Sequence, residues 1–186
     1  MRVGLSHASV NFYLIATMTQ PLYNASVTVF KQMLTALSAV LKKAEAHATE
    51  KNIDPNAFLQ ARLYPDMFPL IRQVQIAVDF SKGATSRLAG VDVPAWPDSE
   101  TTFDDLQALL TKALAYFDTF KPEQFSEAAD REIVLRPGTP KEKKLVGTAY
   151  LQHYALPQFY FHVTTAYAIL RHNGVEIGKR DYMGTY

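Results

Sequence analysis

Phe159 to Gly184 reads FYFHVTTAYAILRHNGVEIGKRDYMG, and its pattern decides the fold. Phe159, Val163, Ala166, Ile169 and Leu170 recur at steps of three and four. That spacing is one stripe of an amphipathic helix. Arg171 and His172 then sit where cations complement the negative end of a helix, and Asn173-Gly174 is a stop. His162 lies on the apolar stripe. A charged imidazole there would be costly, so it is expected to be neutral and hydrogen-bonded.

Upstream, Pro157 predicts a kink in the same helix, and Thr148 stands where a side-chain cap would open it. Before that, Arg131–Leu135 and Lys143–Val146 are short β-prone runs around Arg136-Pro137-Gly138-Thr139-Pro140, which predicts a hairpin. Thr102 followed by Asp105 resembles a capping box, opening a helix on Phe103, Leu106, Leu110, Leu114 and Phe117. Val91 to Ser99, with two prolines around the single tryptophan Trp96, reads as a linker laid over the surface.

Two further helices come earlier. Val27, Phe30, Met33, Leu34, Leu37, Val40, Leu41 and Ala44 form one long stripe, with Pro21 suited to its first turn. Asp54-Pro55 opens a short helix that should end near Leu63. Asp66 is expected to cap the next, from about Met67 to Leu88, with Gly90 as its stop. The sum is an all-α fold, a four-helix bundle, with a short β-hairpin before the last helix. The patterned sequence begins at Pro21, so 1–17 is read as an N-terminal extension, disordered, and 18–186 as the domain with a natural start at Met18.

Nineteen basic and eighteen acidic side chains leave a net charge of +1, which gives no reason to seek nucleic acid or anionic lipid. No apolar run approaches the ~18 residues that span a bilayer, and the N-terminal stretch lacks the core and cleavage site of a signal peptide. A cytoplasmic setting is expected. There are no cysteines, so disulfides, zinc-thiolate sites and thiol nucleophiles are excluded.

Glycine-rich phosphate loops, paired-histidine helix motifs and G-x-S-x-G are missing from the sequence. Of the five histidines, His162 alone calls for an explanation; His153 lies nine residues earlier, across Pro157, too far along one helix for joint coordination. In the second long helix Gln73 borders the stripe that reaches Phe80, in position to point inward. Arg72, Gln75 and Asp79 read as a solvated face.

Three stretches carry a resemblance: Met18-Thr19-Gln20-Pro21-Leu22-Tyr23, PDMFPLIRQVQIA at 65–77, and HVTTAYAILRHNGVEIGKRDY from His162. They resemble an uncharacterised branch of the DinB/YfiT-like superfamily, a domain of unknown function, over nearly the whole of 18–186. The resemblance implies an up-down four-helix bundle, commonly a homodimer. It also implies a nickel- or zinc-type metal held by three histidines, one from the second helix and two, four residues apart, from the last. Some such members are similar to metal-dependent thiol transferases. Here His162 matches the later histidine, but Gln158 stands four residues before it and Gln73 at the second-helix position. Glutamine is a weak ligand for such an ion.

The leading expectation is therefore a bundle with a degenerate metal site. It would bind a small organic molecule between the second and last helices at Gln73, Gln158 and His162. One alternative is a metal-dependent transferase or hydrolase in which His162 is completed by His153 or Asp66. Another is a structural or dimerisation module in which Gln73 and His162 bond each other. The residues by themselves assign no reaction and no cofactor.

Overall fold

The computed structural model describes residues 21–186. The expected boundary between 1–17 and 18–186 lies outside the described residues. A π-helical turn, Asn24–Thr28, leads into α1, Val29–Glu50. Then come α2, Pro55–Leu59, α3, Leu70–Ala89, and α4, Phe103–Asp118. A 3-10 turn, Pro122–Phe125, precedes the hairpin of β1, Glu132–Leu135, and β2, Lys143–Val146. The last rod is α5, Gly147–Tyr150, a π-helical turn, Leu151–Ala155, and α6, Leu156–His172. A final turn, α7, Lys179–Met183, ends the fold.

The four long helices make the bundle that the stripes predict, and the hairpin precedes the last of them. Its strands pair antiparallel, Glu132 with Val146 and Leu135 with Lys143. α1 lies antiparallel to α4, where Ser38 Oγ donates to Gln107 Oε1 at 2.6 Å and Phe30 meets Phe117. α3 packs most extensively against α6. It too is antiparallel to its partner: Gln73 meets His162, and Arg87 at its far end meets Tyr150. Phe30, Phe117 and Phe159 bring α1, α4 and α6 together at the centre. Burying each ring fully is worth roughly 1.5–3 kcal/mol.

α3 and α4 run parallel, because residues 90–102 carry the chain back along them before α4 begins. Ser86 bonds Tyr116 at their far ends, while Gln75 Nε2 donates to Glu100 near their starts. Trp96 anchors this strap: Lys82 Nζ and Lys112 Nζ lie 4.8 and 4.4 Å from its ring, and Tyr116 meets it edge-on. The strap covers Gln75, which the pattern assigned to a solvated face. Gln75 is buried, bonded to Arg72 and Glu100, and Lys82, about two turns further along, is buried under Trp96.

Several local signals act as read. Asp54 accepts from Asn56 N–H, Thr102 and Asp105 complete a capping box, and Gly90 ends α3 at φ 73°. Two expected caps do not form. Asp66 is exposed and caps nothing, because Phe68 precedes Pro69 and is kept out of helical geometry. Pro69 itself is extended, at ψ 166°, and α3 begins at Leu70. Thr148 turns its hydroxyl and its N–H to Ala129 O, and α5 starts directly from β2 at Gly147. The short helix also ends at Leu59, four residues earlier than Leu63.

Pro157 has no N–H, and its ring would crowd the carbonyl one turn back. The π-helical turn just before it widens the backbone there, with Leu156 N–H reaching Leu151 O. The C-terminal turn packs back on the bundle. Asp181 pairs with Lys43 of α1, Gln32 donates to Met183 O, and Tyr182 bonds Thr164 of α6. Among the described residues no helix is long and apolar enough to cross a membrane.

Candidate functional site

Gln73 is in the first turn of α3 and His162 in the middle of α6, so the tightest seam of the bundle brings them together. Gln73 Oε1 lies 2.7 Å from His162 Nδ1, and both side chains are buried. The carboxamide is oriented by its other end. Gln73 Nε2 donates to Phe68 O at 2.9 Å, a carbonyl that can only accept. Oε1 is therefore the atom facing the ring, and Nδ1 must carry the proton. That leaves Nε2 as a bare lone pair.

Nε2 has no hydrogen-bond partner among the described residues. It is not sealed either, since Thr85 Oγ1 is the one fully buried side-chain polar atom there without a partner. Phe80 stacks on the imidazole at 5.8 Å and 14°, and Phe161 meets it edge-on at 5.2 Å. Burial pushes the His162 pKa below the ordinary histidine value, and the Arg72 guanidinium lowers it further. The ring is thus neutral at neutral pH, an acceptor or a base.

Gln158, one turn before His162 on α6, is half-buried and lines a different hollow. A cavity of about 520 Å³ opens between the hairpin loop and the last rod, walled by Arg136, Lys141, Glu142, Lys143, Tyr154 and Gln158. Gln73 and His162 are not part of its wall. Phe80 links the two places, since its ring meets Tyr154 at 5.9 Å and His162 at 5.8 Å. The three expected residues thus fall into a bonded pair and a neighbour one turn away. The sequence reading missed Arg136, Lys141, Lys143 and Tyr154. The signal was the basic run around the hairpin turn, which without a fold looks like a solvated loop.

A zinc- or nickel-type ion would need about three protein donors. Among the described residues no group of three His, Cys, Asp or Glu side chains is placed to hold one. His153 and Asp66 are both exposed. Gln73 Oε1 is already committed to Nδ1. The donor set does not fit such an ion.

The comparisons with known proteins agree with this architecture. The model of a domain of unknown function, DUF1993, matches residues 22–183. A crystal structure of a DinB family member protein from Shewanella denitrificans superposes with a TM-score of 0.87 at 42% identity, covering 92% of this chain and 96% of that one. No curated protein matches. The chain belongs to the DUF1993 family and is a DinB-like helical-bundle protein.

Proposed function

We propose that this protein binds a small organic molecule along the seam between α3 and α6, from the hairpin cavity past Tyr154 and Phe80 to His162. The observation that carries the reading is the bare Nε2 of His162, held by the Gln73 bond at 2.7 Å in the form that accepts. A cavity near 520 Å³ has the size of a small-molecule site, typically about 300–1,000 Å³. Leu135, Pro140 and the half-buried Tyr154 ring supply its apolar wall, and Gln158 and the Tyr154 hydroxyl supply donors and acceptors. In this reading the three-histidine metal site is degenerate, because the glutamines orient a histidine or line the cavity.

The test is a titration of the isotope-labelled chain with a set of aromatic fragments, neutral and charged, followed by NMR. Resonances of Tyr154, Gln158 and His162 should shift together for at least one fragment, and His162→Ala should remove the shift. No fragment moving them would defeat the proposal. Elemental analysis after growth with added zinc and nickel tests the degenerate site: one tightly held ion per chain would overturn it.

The mutual bond of Gln73 and His162 also favours a second reading, a purely structural pair. It predicts that Nε2 meets no ligand and that His162→Ala alters stability alone. A homodimer, implied by the resemblance to DinB-like proteins, is proposed with either reading, and light scattering on the purified chain tests it.

A further inference from the structure

We propose that the hairpin cavity takes a small organic anion, a molecule carrying a carboxylate or a phosphate. This rests on the small-molecule reading above and names the ligand class for it. Three cations, Arg136, Lys141 and Lys143, line the cavity against one carboxylate, Glu142. The carboxylate is already engaged, for its Oε2 accepts from Gly138 N–H at 2.7 Å. None of the three cations has an ion-pair partner among the described residues. The next lysine shows the contrast: Lys144 pairs across the strands with Glu132 at 3.6 Å.

Uncompensated cations on a convex surface would mean little, because solvent and salt screen them. These line one hollow, and a cleft lined by a single sign of charge focuses the field so that an anion can meet several at once. Arg136 is unusual in a second respect. Its φ is 51°, a left-handed backbone conformation in a residue that also precedes proline. Glycine would adopt that conformation without strain. The chain instead holds a guanidinium there, with the planar fork that matches carboxylate and phosphate oxygens. Beyond the charged end, Tyr154 leads through Phe80 toward His162, so the rest of the ligand would be apolar or aromatic.

The experiment compares three probes of one shape, benzoate, phenyl phosphate and benzyl alcohol, titrated into the labelled full chain. At least one anion should shift the amides of Arg136, Tyr154 and Gln158 and bind about tenfold or more tighter than the alcohol, with added salt weakening it. Benzoate alone would identify a carboxylate ligand, phenyl phosphate alone a phosphate. Arg136→Gly should leave the thermal midpoint no lower, because it relieves the strained φ, yet weaken anion binding about tenfold. Lys143→Glu should weaken it as well. Unchanged binding in Arg136→Gly, or benzyl alcohol binding as tightly as both anions, overturns the proposal. If the alcohol alone binds and shifts Tyr154, Gln158 and His162, the anion inference falls while the small-molecule reading stands. If no probe shifts the cavity, the anion inference falls, and the wider fragment titration decides the small-molecule reading separately.

Discussion

His162 Nδ1 meets Gln73 Oε1 at 2.7 Å across the seam of α3 and α6, with Phe68 O fixing which end of the carboxamide faces the ring. The pair should show itself as a single tautomer. Nitrogen-15 shifts of the imidazole at neutral pH are expected to report a protonated Nδ1 and an unprotonated Nε2. Gln73→Leu leaves the Nδ1–H buried without an acceptor, which should cost about 1–3 kcal/mol in denaturant unfolding. It should also mix the tautomers. A ring already protonated at Nε2 in the native protein would contradict the geometry.

The same burial makes the fold acid-sensitive at one position. The His162 pKa is lowered in the folded state, first by burial and then by Arg72. Below the unfolded value, about 6.5, the unfolded chain takes up a proton that the folded chain refuses. His162 therefore supports full stability above that pH. Stability falls as pH drops from there toward the lower folded value, below which both states are protonated. Denaturant midpoints between about pH 5 and 7 should fall with acid in the native chain and fall less steeply in His162→Gln. Equal slopes in the two proteins would rule the effect out.

The bundle was legible in the sequence because its signals are local. The stripe from Phe159 to Leu170, the Thr102–Asp105 capping box and the Gly90 stop each involve residues within a few turns of one another. What depends on distant chain was not legible. Gln75 reads as solvated until the strap at 90–102 crosses it with Glu100. Asp66 failed as a cap through the backbone limits of the Phe68-Pro69 step, which outweigh a favourable side chain. At the site, Gln73 and His162 were readable because each lies beside an apolar stripe that must face the core. The cavity beside Gln158 was not, since its charged wall exists only once the hairpin loop folds against the last rod.

Thr85 offers a separate check on the core. Its Oγ1 is the one buried side-chain polar atom without a hydrogen bond among the described residues, and the residue is fully buried. Valine has nearly the same shape without the hydroxyl. Thr85→Val should therefore stabilise the fold by about 1–2 kcal/mol, the desolvation penalty of an unpaired hydroxyl. A rise in thermal midpoint with unchanged fragment binding is the expected result. A clear loss of stability would mean that the hydroxyl has a partner.

Gly147 is where the hairpin becomes the last helix, and here the packing leaves no room for a side chain. A Cβ at that position would sit 1.8 Å from Ala128 O, a backbone atom that cannot rotate away, and 3.3 Å from Leu88. The close approach also lets the next residue, Thr148, reach Ala129 O with both its hydroxyl and its N–H. Gly147→Ala must push the start of α5 away from the segment it rests on, at a cost of about 3 kcal/mol or more. Gly178 serves as the control, since nothing lies within 4 Å of its Cβ position. Gly178→Ala should change stability by no more than about 0.5 kcal/mol. Because Gly147 opens the rod that carries Tyr154 and Gln158, its alanine variant should also lose fragment binding at temperatures where it remains folded. Retained binding would show that the cavity does not depend on how this rod is seated.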